Sequence, residues 1–141
     1  MQYADTCLLV SLFLRDSGTD AALTWLDESS NQPIMASHWS LTEFSSAAAM
    51  RVRKGDISAR LHKEVLTRFR RFAQARLTLE PLQPGDFERA AAMTDIYASG
   101  LRAADALHLA LCVRLSSTLC SADRIMIIAA EACGVSARRI S

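Results

Sequence analysis

No Cys-x-x-Cys pair occurs in this chain. Its four cysteines, Cys7, Cys112, Cys120 and Cys133, are scattered. They read as small buried apolar residues of a reducing compartment, and their spacing speaks against a zinc site. No apolar run reaches the ~18 uncharged residues of a membrane span. The start, Met1-Gln2-Tyr3-Ala4-Asp5, has no basic n-region, so it is not read as a secretory signal and a cytoplasmic location is expected. No repeat, linker or low-complexity stretch divides the chain, which reads as a single domain over 1–141. Such a length buries roughly 68–70% of its unfolded surface. There is no large excess of either charge: the net is +1.

That balance hides an asymmetry. Residues 51–76 hold nine Lys/Arg against Asp56 and Glu64, while the rest of the chain is net acidic. Such a segment suits either a polyanion-binding face or a plain solvated helix surface. Arg51, Arg53 and Lys54 are the candidate polyanion contacts within it.

Hydrophobic content of 50% and charged content of 22% are globular values. The pattern along the chain alternates short apolar runs with helical periodicity. Strands are expected at Tyr3-Ala4, 33–37, 77–79, 118–121 and 136–140. Helices are expected at 6–14, 21–29, 41–53, 57–76, 86–97, 102–115 and 123–133. Ser40 and Glu43 match the S-x-x-E capping box, which would open the helix that Gly55 closes. Asp86 would cap another helix, with Gly100 breaking it. Alternating strands and helices predict an α/β/α sandwich around a short, mainly parallel sheet.

Four acids, Asp5, Glu43, Asp105 and Asp123, read as lying where strand-like runs hand over to helices. Parallel sheets gather ligands at the carboxyl ends of their strands. A like-charge pair at about 4 Å costs roughly 4 kcal/mol at an effective dielectric near 20, so four converging carboxylates call for a divalent cation. An all-oxygen cluster suits Mg²⁺ or Mn²⁺. Singly, each acid also reads as a helix cap or a first-turn residue favoured by the helix dipole. Asp16, Asp20, Asp27, Glu28, Asp56, Asp86, Asp95 and Glu131 are expected to be solvated. Thr6 and Ser121 would either orient the acids or cap their own helices. His108, three residues after Asp105, is expected to be a packed, hydrogen-bonded histidine rather than a general base. Trp25, Trp39 and Phe44 are expected in the core. A receiver domain would need an acidic pair after the first strand and a Lys after the last. A haloacid-dehalogenase-like phosphatase would need Asp-x-Asp, where Cys7 holds the second place.

Tyr3-Ala4-Asp5-Thr6, Leu41-Thr42-Glu43-Phe44, the run Gly100 to Ala110 around Asp105, and Thr118 to Asp123 resemble the motifs of PIN-domain ribonucleases. They resemble most the VapC toxins of toxin–antitoxin pairs. The resemblance spans almost the whole chain and is most specific around Asp105. Ala4 replaces a larger aliphatic residue, and Cys7 stands where Ser or Ala is common. The resemblance implies an acidic pocket of Asp5, Glu43, Asp105 and Asp123 holding Mg²⁺ or Mn²⁺, supported by Thr6 and Ser121. It implies endonucleolytic cleavage of tRNA or ribosomal RNA, inhibition by a VapB-type antitoxin, and a homodimer. The alternative is a PIN-like module that binds RNA or protein without cutting.

Overall fold

The structure is a computed structural model that describes the backbone of residues 1–141 and every side chain but that of Tyr97. Five strands form one sheet: β1 (Gln2–Ala4), β2 (Ile34–Ser37), β3 (Leu77–Glu80), β4 (Thr118–Ser121) and β5 (Ala137–Arg139). Their order is β3-β2-β1-β4-β5, and every pairing is parallel. The helices are α1 (Thr6–Phe13), α2 (Thr19–Glu28), α3 (His38–Arg53), α4 (Ala59–Arg76), α5 (Pro84–Thr94), α6 (Ala103–Leu115) and α7 (Arg124–Ala132). The expected α/β/α sandwich is what the chain adopts, with a wholly parallel sheet.

Strand alternation builds the two cores. Tyr3, Met35 and Leu119 point to one face and pack with α5, α6 and α7. Ala4, Ile34, Ala36 and Cys120 point to the other and pack with α1 to α4. Both faces are covered, so the central strands β1, β2 and β4 are largely apolar, while the edge strand β5 carries the exposed Arg138 and Arg139. On the second face Phe44 stacks on Phe69 at 3.7 Å between ring centroids, with Phe13 edge-on to both. That contact locks α3 against α4. Val65, Phe69 and Ala73 form the buried stripe of α4, one helical turn apart, which leaves its arginines outside.

Several expectations need correction. α3 starts at His38, not Leu41, because the Ser37 hydroxyl accepts from the Trp39 N–H and caps it there. The Ser40–Glu43 capping box therefore does not form. Ser40 lies inside the helix, fully buried, and its hydroxyl has no hydrogen-bond partner among the described residues. Trp39 is 37% exposed, unlike the buried Trp25 and Phe44. Cys112 and Cys120 are buried as expected, but Cys7 is exposed and Cys133 only half-buried; all four are free thiols. Asp86 is not solvated. It is 2% exposed and its carboxylate receives Arg114 Nε at 3.0 Å and Nη2 at 3.1 Å. It also accepts from the Gln83 N–H at 2.8 Å, completing a capping box for α5, which ends at Thr94 rather than Tyr97. The helix break expected at Gly55 holds: its φ of 78° is one that glycine adopts without strain.

Candidate active site

The chain lays β2 and β3 on one side of β1, then returns to place β4 and β5 on the other. The strand order therefore reverses between β1 and β4, and clefts of parallel α/β sheets form at such a switch point. Ala4 pairs with Cys120, and the Asp5 N–H donates to the Cys120 carbonyl at 3.2 Å. Asp5 and Ser121 thus leave the carboxyl ends of adjacent strands side by side. Asp5 caps α1, with Oδ1 accepting from the Leu8 N–H at 2.9 Å. Its Oδ2 accepts from the Ser121 hydroxyl. Ser121 Oγ in turn accepts from the Asp123 N–H at 3.0 Å. Asp123 caps α7 through Ile125 and Met126.

The other two acids arrive differently from the sequence reading. Glu43 is in the second turn of α3, beyond the end of β2, and Asp105 is in the first turn of a helix that follows another helix. Topology still explains Asp105. A helix feeding a parallel strand ends at that strand's amino edge, so α6, which feeds β4, begins over the carboxyl edge. Glu43 reaches inward: its Oε1 accepts from the Thr6 hydroxyl at 2.7 Å and lies 2.6 Å from His108 Nε2. The opposite ring nitrogen, Nδ1, lies 2.6 Å from the hydroxyl of the fully buried Tyr3. Tyr3 escaped the sequence reading as a site residue. A buried phenol needs a partner, and His108, inward-facing on α6, was the available signal.

The carboxylates act on one another. Burial pushes Asp5 up to about 6, and the charge of Asp123 adds to this, against the hydrogen bonds from Ser121 and Leu8 and the pull of His108. Burial also raises Asp105, again helped by Asp123 and Glu43 and opposed by His108 and Arg102. For Glu43 burial works upward too, yet the hydrogen bond and charge of His108, with Thr6, hold it below the ordinary glutamate value. Cys7 sits at the rim. Although the residue is exposed, its thiol is partly desolvated; that desolvation, with the charges of Asp5, Asp123, Asp16 and Asp105, pushes it up to about 12. It lines a cavity of about 510 Å³ that also takes in Ser11, Asp123 and Arg139.

Among the described residues, no three carboxylate, imidazole or thiol groups close into a ready coordination shell. The donor chemistry nevertheless fits a hard divalent cation, since the donors are oxygens. The upward shifts of Asp5 and Asp105 are the cost such a cation would relieve.

The basic segment is less uniform than its composition suggests. Arg51, Arg53 and Lys54 lie eight to eleven residues past Glu43 on α3, roughly 12–17 Å along its axis. Arg76 is tied to the Ser29 and Ser30 carbonyls. Arg70 lines a groove at the start of α3 with Leu41, Thr42 and Ser45. Arg102, which the sequence reading passed over, puts its positive charge on Asp105.

The fold and the cleft define a parallel α/β/α domain with an acidic switch-point site. The chain belongs to the PIN-domain family, whose description fits residues 3–132. Solved structures of similar fold include VapBC2 from Rickettsia felis bound to a DNA fragment from their promoter, with a TM-score of 0.74 at 16% identity over 100% of both chains. FitAcB from Neisseria gonorrhoeae gives 0.69 at 16% identity, covering 97% of this chain and 96% of that one. Mycobacterium tuberculosis VapC20, a sarcin-ricin loop cleaving toxin, gives 0.68 at 15% identity over 84% and 87%. No curated protein sequence matches this chain.

Proposed function

We propose that this chain is a metal-dependent endoribonuclease, the toxin of a type II toxin–antitoxin pair, acting on tRNA or ribosomal RNA in the cytoplasm. The observation that carries this reading is the switch point: Asp5 and Asp123 flank it and act on each other by charge, and Asp105 is coupled by charge to Asp123 and to Glu43. Membership of the PIN family supports it, as does the fold shared with a toxin that cleaves the sarcin-ricin loop. Other proteins of this fold were solved as toxin–antitoxin complexes, which supports a VapB-type antitoxin as partner and is compatible with a homodimer.

Asp5, Asp105 and Glu43 would hold Mg²⁺ or Mn²⁺, with Asp123 completing the set. When bound, the cation would supply a nucleophile near neutral pH and offset charge building on the phosphate. Ser121 holds Asp5 and Thr6 holds Glu43, so each acid keeps its orientation without RNA. Arg102, whose charge reaches Asp105, would meet phosphates near the acids, while Arg70 in the groove at the start of α3 and Arg51, Arg53 and Lys54 would grip RNA farther along. The second reading is a PIN-like module that binds RNA or protein without cutting.

Cleavage of total tRNA and ribosomal RNA decides between them. We expect discrete products with Mg²⁺ or Mn²⁺, none in EDTA, and a loss of at least 100-fold in Asp105→Asn, whose amide is a poor ligand for a hard cation. Cleavage that persists in EDTA would sink the nuclease reading in its metal-dependent form, and RNA bound but uncut would establish the binding module. RNA affinity should also fall about tenfold or more between 50 and 200 mM salt if several of these basic residues meet phosphates. A flat salt response would remove them from the interface.

A further inference from the structure

Tyr3, His108, Glu43 and Thr6 form a hydrogen-bonded chain from the centre of the sheet to the cleft. Tyr3 is 0% and His108 3% exposed, so neither meets solvent. An ionised carboxylate can only accept, so His108 Nε2 must carry the proton of its 2.6 Å contact with Glu43 Oε1. In the neutral ring Nδ1 is then bare and accepts from the Tyr3 hydroxyl at 2.6 Å. The Tyr3 phenol is suited to that task, because burial holds it protonated. Both ring nitrogens are thus engaged. The Thr6 hydroxyl donates to the same Oε1 at 2.7 Å. Both close hydrogen bonds of Glu43 therefore fall on one oxygen. Among the described residues no close hydrogen bond falls on Oε2, the Trp39 side chain reaching the carboxylate more weakly; Oε2 is the oxygen left for a ligand, on a side chain that is 23% exposed.

We infer that His108 is a positioning residue: held by Tyr3, it pins Oε1 of Glu43 so that Oε2 is presented to a divalent cation. The inference rests on the nuclease reading above, for it gives Glu43 its ligand. Partners that orient a ligating side chain commonly change metal affinity 10–100-fold when removed. The pinning needs only the Nε2 proton.

The test is Mn²⁺ titration of the purified protein, followed by electron paramagnetic resonance, with thermal melts to confirm folding. His108→Leu fills the same space without a donor, and Mn²⁺ affinity should fall about tenfold or more. His108→Gln places an amide N–H near the position of Nε2 and should stay within about threefold of wild type, a rescue that a merely space-filling role would not give. Mn²⁺ affinity unchanged in His108→Leu would overturn the inference and leave the nuclease reading standing. Wild-type protein that takes up no Mn²⁺ would overturn that reading, and the inference with it. Where His108→Leu fails to fold, Tyr3→Phe releases the ring while leaving the core filled, and unchanged Mn²⁺ affinity there would count against the inference equally. Nitrogen-15 spectra of the histidine rings give a readout independent of metal: a His108 ring without a proton on Nε2 would overturn the inference.

Discussion

Asp5→Asn is expected to abolish RNA cleavage and, without metal, to make the protein more stable than wild type. Asp5 is 4% exposed and its carboxyl is pushed up from 3.8 to about 6, first by burial and then by Asp123. At pH 8 the ionised group therefore costs the fold about 3 kcal/mol, at roughly 1.4 kcal/mol per pKa unit. Asparagine removes the charge and keeps the geometry. Its Oδ1 can still accept from the Leu8 N–H, since Asn and Asp cap helices equally well, and its amide can donate to Ser121 Oγ. A gain of about 1–3 kcal/mol is expected, alongside cleavage reduced by at least 100-fold. Mn²⁺ should raise the melting temperature of wild type and leave that of the variant unchanged, because only a ligand bound to the folded state stabilises it. A variant that is less stable than wild type in EDTA, or that still cuts RNA, would show that Asp5 serves the fold and not the site.

The sign of the pH dependence follows from the same shift. The folded pKa of Asp5 lies above the unfolded one, so between about 6 and 3.8 the folded state binds a proton that the unfolded chain does not. Metal-free wild type should gain stability as pH falls through that window. Asp105, also raised, acts in the same direction. Glu43, held below 4.5, acts oppositely: its contribution is present above that value and is lost in more acid solution. In Asp5→Asn most of the rise between 6 and 4 should vanish.

How much of this could be read in the sequence differs by element. All five strands were marked to within a residue or two; for the central strands β1, β2 and β4 the reason is burial on both faces, which leaves little choice of residue. The Asp5 and Asp123 positions were legible for the same reason: Asp5 follows the buried β1 directly, and Asp123 stands two residues past the end of the buried β4. Glu43 was placed in the site but given the wrong local partner. Ser40-x-x-Glu43 is a good capping pattern, yet Ser37 caps α3 first, and Glu43 turns to Thr6 and His108, 37 and 65 residues away. A local pattern cannot reveal contacts of that span. Asp105 was identified at a junction that does not exist. No strand hands over to α6, and only the parallel return to β4 brings its first turn above the site. The Tyr3–His108 contact, across 105 residues, was out of reach until the topology was known.

Asp86→Ala should be the most damaging change away from the site, lowering stability by about 3–5 kcal/mol, the usual result of removing one member of a buried ion pair. The carboxylate is 2% exposed and receives Arg114 at both oxygens, with the guanidinium 24% exposed. Arg114 also donates to the Pro81 carbonyl at 2.8 Å, so one side chain joins the end of α6 to the segment between β3 and α5. Alanine would leave that cation without its carboxylate and the Gln83 N–H without its cap. Because α6 carries both Asp105 and His108, loosening its far end should also weaken the site. For Asp86 burial works upward, but Arg114 and the Gln83 N–H outweigh it and hold the carboxyl below 3.8. Its contribution is therefore complete above about 3.8 and is lost as pH falls further, through the depressed folded value. Melts of Asp86→Ala should show a drop of roughly 10–20 °C at neutral pH, at about 4 °C per kcal/mol for a domain of this size, and a shallower acid limb. Asp86→Leu combined with Arg114→Met should recover part of the loss, since an apolar pair of similar volume leaves no unpaired charge. A fall of less than about 3 °C in Asp86→Ala would mean that the pair is dispensable and that α5 and α6 are held by apolar packing alone.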